Sequence, residues 1–426
     1  MGDIYVSKSG DDATGDGRVE APYLTIATAL SNAGEGDRII ISTGIYAEYG
    51  LNKSTTKKIK ILSQGDGDVT IDGNTGGLSD DTIRPYSGWV IDGSTGSYDF
   101  TIIGAGDSCV TSYSSTTAFK LKNITLTGRG IYTNEVNTKR TGYAVTNIGG
   151  TNGGDLSNEI AEIKNCFVKN VRTSFIKQTS TISPIKISNC VCYDGGYSGN
   201  TVPGLDCDSN NTEIYHTVVS NYEGGIGISS QRSDGSPIIK NCIVANSTLS
   251  DSAFYFKNSS TNISTNNSYN NGSPTNGGFY NNGGDEISAN RNVEKDPSFN
   301  DSNNKDFSLK ADIYHYPGSS RLKQEGSPLN NIGTDISGIT TGISGSSRGA
   351  YKTIGAYAAK TSYLYSTAPT AVTTDKVKKD FTINHFNRIS AETPRTVDQI
   401  QFSRLIKGVP NLKDTTKSYR LTKESK

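Results

Sequence analysis

The chain has 426 residues, of which 33% are hydrophobic and 20% charged, and its 42 basic side chains are balanced by 42 acidic ones. That balance argues against a whole-chain nucleic-acid binder, and no apolar run approaches the ~18 residues that a membrane span needs. Disorder is excluded as well, because 23 tyrosines, 12 phenylalanines and many Ile and Val residues supply core material.

The first ten residues, MGDIYVSKSG, hold neither a basic stretch nor an apolar segment of secretory type, and Val6 stands where a myristoylation signal wants Ser or Thr. The expectation is a protein made in a cytoplasm and not exported by the ordinary route. The glycosylation-type triplets at Asn123, Asn246, Asn258, Asn262 and Asn266 then reflect composition. Residues 1–50 read as an amino-terminal cap and first coil. Apolar positions at 23, 26, 27 and 30 predict a helix, with Pro22 suited to its first turn and Gly34 and Gly36 ending it. Asp37-Arg38-Ile39-Ile40-Ile41 begins a strand.

An internal repeat follows. Ile163-Lys164-Asn165-Cys166, Ile187-Ser188-Asn189-Cys190, Ile214-Tyr215-His216-Thr217, Ile239-Lys240-Asn241-Cys242 and Ile263-Ser264-Thr265-Asn266 recur at solenoid spacing. An earlier copy, Leu121-Lys122-Asn123-Ile124, lies far enough ahead for two coils or for one with a long loop. A second column runs through Leu205, Ile226, Phe254 and Phe279, and a third through Asn170, Asp194, Asn221, Asn246 and Asn270. Strands this short are stable only when stacked. In-phase recurrence predicts an all-β, right-handed single-stranded parallel β-helix over 51–292, with an amino-terminal capping helix; an irregular β-sandwich is the alternative. Asn suits the corners because it tolerates left-handed backbone and bonds otherwise unpaired backbone groups. The six cysteines (109, 166, 190, 192, 207, 242) contain no CxxC pair and read as reduced core residues, with disulfides or a metal as alternatives.

Residues 293–360 read as a closing segment, and 361–426 as a carboxy-terminal extended arm. The arm has 12 basic and 6 acidic residues, a net of +6, with apolar anchors that include Phe381, Phe386, Ile389, Phe402 and Leu405. A solvated tail and an arm that orders on a partner are both open.

Gly10-Asp11-Asp12, Ala21-Pro22-Tyr23-Leu24-Thr25-Ile26, Gly36-Asp37-Arg38-Ile39 and Gly44-Ile45-Tyr46-Ala47-Glu48 together resemble the amino-terminal entry of pectate-lyase-like parallel β-helix proteins. Asp296-Pro297-Ser298-Phe299, Asp306-Phe307-Ser308-Leu309, Gly326-Ser327-Pro328-Leu329 and Ile354-Gly355-Ala356-Tyr357 are similar to the closing segment of many such proteins. The resemblance implies a fold and leaves the chemistry open, since the superfamily holds polysaccharide lyases, glycoside hydrolases, phage tailspikes and passive structural proteins.

For chemistry, Asp206 and Asp208 point outward together if Leu205 and Cys207 point inward. Gly227 and Ser229, then Tyr255 and Lys257, are their expected neighbours, with Asp194, Glu223 and Arg232 in nearby corners. This pair is the catalytic candidate, beside the reading that outward carboxylates only keep a strand soluble. Tyr255, Lys257 and Tyr280 are the candidate glycan contacts. His216 reads as a ladder residue, and Asp66, Asp68, Asp80 and Asp81 as turn residues. No metal or other cofactor is expected, calcium entering only if the protein is a lyase. The leading functional expectation is a bacteriophage virion component (surface decoration, spike or fibre) docked to other virion proteins through 361–426, contacting host polysaccharide. Homotrimer and lattice-bound monomer are both open, and neither nucleic acid nor membrane is an expected partner. The alternative is a polysaccharide lyase or glycoside hydrolase acting on an outer face.

Overall fold

The computed structural model describes residues 1–310 apart from 54–57, 78, 94–98, 113–117, 130–140, 149–159, 179–184, 198, 200, 208–211, 231–236, 257–262, 273–277 and 282–291, together with parts of 312–363. Each coil contributes one strand to a ten-stranded parallel sheet, the first face, and two strands to a 17-stranded parallel sheet that bends into the second and third faces. Parallel strands joined coil to coil in this way cross over right-handedly, giving a right-handed parallel β-helix.

The predicted isoleucine column is observed without a break. Ile163 pairs with Ile187, Ile187 with Ile214, Ile214 with Ile239 and Ile239 with Ile263. Leu121 pairs directly with Ile163, so the longer step between those copies is one coil with an insertion rather than two coils. The column extends toward the amino terminus through Ile91, Ile61 and Ile39. All these side chains from Ile39 to Ile263 are fully buried. At ~4.8 Å per coil, each apolar side chain packs on its equivalents above and below, and burying each one stabilises the fold by about 1.5–3 kcal/mol.

The corner after the first face requires left-handed backbone. Asn123, Asn165, Asn189, His216, Asn241 and Thr265 hold φ between 49° and 58°. Asn165 Nδ2 donates to Asn123 Oδ1 at 2.9 Å and Asn189 Nδ2 to Asn165 Oδ1 at 3.1 Å. His216 continues the ladder through Nε2, 3.2 Å from Asn241 Nδ2. It is buried there and structural. All six cysteines are free and buried. Cys166, Cys190 and Cys242 each donate Sγ–H to the carbonyl two residues earlier, at 3.3, 3.4 and 3.4 Å.

The capping helix is shorter than its apolar spacing suggests, running Ile26–Asn32 with Thr25 as N-cap. Pro22 lies outside it, and Tyr23 instead bridges to Val6. Side chains from the entry motif fix this start. Glu48 accepts from the N–H groups of Ile26 and Ala27, both at 2.9 Å, and Asp12 accepts from Leu24 and Thr25. The Glu48 bonds satisfy helix donors that have no partner within the helix, and the Asp12 bonds hold the two residues that lead into it.

The closing segment adds one more rung, where Val293 bridges to Asn267, and then folds back along the outside of the second face. There Phe299, Phe307, Leu309, Leu329, Ile354 and Ala356 pack on Val191, Tyr193, Val218, Ile243 and Ala245, forming a second core outside the solenoid. Each closing-segment motif thus contributes a side chain to this cluster. Gly355 is required: its φ is +90°, and a Cβ would lie 2.8 Å from Ile243 Cδ1. Arg348 locks the fold-back, donating Nη2–H bonds to Asn189 Oδ1, Gly355 O and Ala356 O at 2.9, 3.1 and 2.9 Å.

Candidate functional site

The third face places the candidate residues. Its inward column runs Ile83, Val110, Val145, Ile176, Leu205, Ile228, Phe254, Phe279. Leu205 therefore pairs with Ile228, two positions beyond the alignment to Ile226; Ile226 pairs with Pro203 instead. A shift by two keeps inward residues inward, so alternation alone cannot detect it. It does move the outward neighbours: Asp206 lies against Ser229, not Gly227, and Ser229 against Tyr255.

The outward positions one residue further along form a continuous file: Lys177, Asp206, Ser229, Tyr255, Tyr280. Lys177 Nζ also sits 5.5 Å from the ring centroid of Tyr143, a cation held over an aromatic face. At the other end, Tyr255 and Tyr280 lie with ring centroids 5.3 Å apart and planes inclined at 38°. Burial, followed by the neighbouring Tyr280 and Asp251, pushes the Tyr255 phenol up, so this ring is a neutral platform at physiological pH. Asp206 and both tyrosines are partly exposed, whereas Ser229 is buried. The face thus carries a charged polar section and an aromatic section on one line.

Of the residues singled out from the sequence, Asp206, Tyr255 and Tyr280 share this file. Asp194 and Glu223 lie at the corner between the second and third faces, where Asp194 pairs with Lys305 at 2.7 Å. Asp208, Arg232 and Lys257 lie outside the described residues, as do Phe381, Phe386, Ile389, Phe402 and Leu405.

Sequence inspection missed a second group on this face. Asp81 reads as a turn residue but begins the strand Asp81–Arg84. Its buried carboxylate accepts from Thr111 Oγ1 at 2.8 Å, from Arg84 Nε at 2.8 Å and from Ser108 Oγ. Asp107 stands beside it. Burial and then the charge of Asp81 push the Asp107 carboxyl up, against a smaller opposing effect of Arg84. The two carboxyl groups thus differ in their surroundings, Asp81 being held by three donors and Asp107 having its pKa raised first by burial. The missed signal was Ser108 and Thr111, two hydroxyls spaced to meet one carboxylate on the adjacent coil. Among the described residues, no group of three or more His, Cys, Asp or Glu side chains is arranged to hold a metal ion.

No family model and no curated protein matches the sequence. Among solved structures, pectate lyase Pel9A is similar at a TM-score of 0.44 and 14% identity, covering 84% of this chain and 97% of that one. A rhamnogalacturonan lyase follows at 0.33 and 12%, with 71% and 91% covered. Pectin methylesterase from carrot is similar at 0.32 and 13%, with 68% and 85% covered. The chain has a parallel β-helix architecture, as the coil-to-coil parallel pairing of its three faces establishes.

Proposed function

We propose that the protein acts on carbohydrate, binding an extended polysaccharide along the outer side of its third face. The observation that carries this reading is the outward file Lys177, Asp206, Ser229, Tyr255, Tyr280, fixed at one residue per coil. A linear polymer matches a linear array. The tyrosine rings offer flat apolar faces to sugar rings, while Lys177 and Asp206 supply a donor and an acceptor for hydroxyl or carboxylate substituents. The solved structures that share this architecture include enzymes named for pectate, rhamnogalacturonan and pectin.

The test is affinity electrophoresis against pectic and bacterial surface polysaccharides. A retarded band with the parent protein, and a loss of about tenfold in affinity in Tyr255→Ala/Tyr280→Ala, is expected, equal to about 1.4 kcal/mol. Unchanged retardation in that variant refutes the placement of the ligand on this face.

A second reading, bond cleavage, is favoured by the Asp81 and Asp107 pair. Asp107 then donates its proton to the leaving glycosidic oxygen while a water molecule adds to the anomeric carbon and gives up a proton that restores the Asp107 acid, with Asp81 and Arg84 holding the local field. Release of reducing ends that disappears in Asp107→Asn supports it, and equal release by that variant refutes it. In the finer form of the binding reading, the solenoid is a bacteriophage virion component that meets host polysaccharide and is tethered through the basic residues 361–426, whose change in composition motivates the idea. Mass spectrometry of purified particles tests that tether directly.

A further inference from the structure

The corner between the second and third faces carries a feature that the third-face reading does not use. Asn170, Asp194, Asn221, Asn246 and Asn270 all hold left-handed backbone there, at φ between 49° and 57°. Their side chains therefore stack outward at one per coil. Asn270 Nδ2 donates to Asn246 Oδ1 at 3.0 Å, and Asn221 Nδ2 donates to Asp194 Oδ1. Asn170 Nδ2 donates instead to Thr127 Oγ1 at 3.3 Å, and between the two bonded pairs the ladder is broken, at the step from Asn221 to Asn246. No hydrogen bond joins those two side chains within the described residues, which leaves the Asn246 amide nitrogen and the Asn221 carbonyl oxygen open.

The break faces a groove. The closing segment passes over this corner at Ser302, Asn303 and Lys305, and the space between has a volume of about 520 Å³, within the range of small-molecule sites. Its lining is almost wholly amide and hydroxyl, with Asn221, Asn246, Thr248 and Asn270 on the solenoid side and the buried ring of Phe307 beneath its floor. Phe307 is fixed by ring contacts with Tyr193 and Phe299, at centroid distances of 5.4 Å each. The single cation of the lining, Lys305, is neutralised by Asp194 at 2.7 Å and lies 5.7 Å from the Tyr193 ring centroid.

We infer that this groove is a second binding site, for a neutral saccharide unit, seated at the break in the amide ladder. A sugar hydroxyl both donates and accepts, so one hydroxyl can bridge the open Asn246 donor and the open Asn221 acceptor. The neutralised lysine disfavours an anionic ligand, which would have to compete with Asp194. The backbone and Phe307 are already held in place, so little ordering cost accompanies binding. That the ligand is a sugar rather than another polyol rests on the carbohydrate reading of the third face; the site itself does not.

The experiment is saturation-transfer NMR and calorimetry on the full chain with lactose, maltose, cellobiose and digalacturonate. At least one neutral disaccharide should bind saturably, with digalacturonate about tenfold weaker or absent. Asn246→Asp, which keeps a residue tolerant of left-handed backbone, and Asn303→Ala should each weaken binding by about tenfold. Thr248→Val, at an exposed strand position, is the variant to use if Asn246→Asp lowers the unfolding midpoint. Thr101→Ala, on the outward side of the second face and away from both proposed sites, should leave disaccharide binding unchanged. The inference is overturned if none of the neutral disaccharides binds, if digalacturonate binds most tightly, or if these groove substitutions change nothing. Loss of polysaccharide retardation in Tyr255→Ala/Tyr280→Ala with disaccharide binding intact upholds both sites, whereas retained retardation with intact disaccharide binding sinks only the third-face reading.

Discussion

The two halves of the second face share one backbone and differ in their outward side chains, most plainly along one column. Toward the amino terminus that column reads Ile45, Thr70, Thr101, Thr125; toward the carboxy terminus it continues in unbroken register as Phe167, Val191, Val218, Ile243. The threonine half is partly exposed, with Ile45 64% accessible, whereas Val191, Val218 and Ile243 are fully buried beneath the closing segment. Strand geometry is the same in both halves, so the outward side chain decides which coils take a second layer. A threonine column satisfies water by its hydroxyls. A valine and isoleucine column leaves apolar area that Phe299, Phe307, Leu329 and Ile354 cover, at roughly 25 cal/mol per Å². The cover also builds the groove at the neighbouring corner, so an apolar stripe on one face creates a polar site on the next.

The most disruptive way to break this contrast is to place a charge in each half. Val218→Asp buries an unpaired carboxylate under the closing segment and should cost more than ~3 kcal/mol, while Thr101→Asp on the bare half should stay within about 0.5 kcal/mol. Chemical denaturation of both variants checks this, and similar losses would show that the two halves do not differ as described.

Phe307→Ala should cost about 3–5 kcal/mol by leaving a cavity in the outer core. Because the coils of a solenoid depend mainly on their neighbours, the loss should appear locally. Hydrogen exchange should speed up in 293–310 and at 354–356 while the isoleucine column from Ile39 to Leu121 keeps its protection. Uniform loss of protection would mean that the outer core supports the whole solenoid.

The corner ladder sharpens the same comparison with a smaller effect. Asn123→Ala and Asn189→Ala each force alanine into left-handed backbone, at about 1–2 kcal/mol. Asn189 additionally bonds Thr341 O at 2.9 Å and accepts from Arg348, so only its substitution should open the closing segment to limited proteolysis. Equal protease sensitivity in both would remove the proposed link between ladder and cover.

The smallest effect concerns pH at the uncovered end. For Asp12, partial burial raises the pKa but is outweighed by hydrogen bonds from Thr25, Thr28 and Leu24, so it is held below the usual carboxylate value. A carboxylate with a lowered folded pKa contributes stability that is present above the unfolded value near 3.9 and is lost as pH falls below it. Protection from exchange at Leu24 and Thr25, taken relative to the free-chain rate at the same pH, should therefore fall as pH drops from about 4 toward 3, with no change between about 5 and 7. In Asp12→Asn that acid sensitivity should be blunted.

Much of the fold was readable from residues that have only one role. An isoleucine recurring at solenoid spacing must stack, and an asparagine recurring beside it must turn the corner, so the first face, its ladder and the buried thiols followed directly. The capping helix was read one turn too early because apolar spacing cannot see that Glu48 and Asp12, distant in sequence, fix its start at Ile26. The site was less legible. Asp206, Tyr255 and Tyr280 were found because they flank strong inward residues. Lys177 and Tyr143 were missed because long insertions interrupt the repeat around them, and Asp107 because nothing local marks a carboxyl whose pKa is raised first by burial and then by a neighbour on the preceding coil.

What the sequence determined by itself was therefore the stacking: inward and outward alternation, corner chemistry and the coil length are local properties that each repeat states again. The tertiary structure alone decided which coil lies against which outward neighbour, since a shift of two residues leaves every inward side chain inward and only the hydrogen-bonded ladder distinguishes Ile226 from Ile228. It alone also decided where the closing segment lies. That placement comes from matching two apolar surfaces far apart in the chain, and it is pinned by the Arg348–Asn189 hydrogen bond across 159 residues, which no periodicity within either segment encodes.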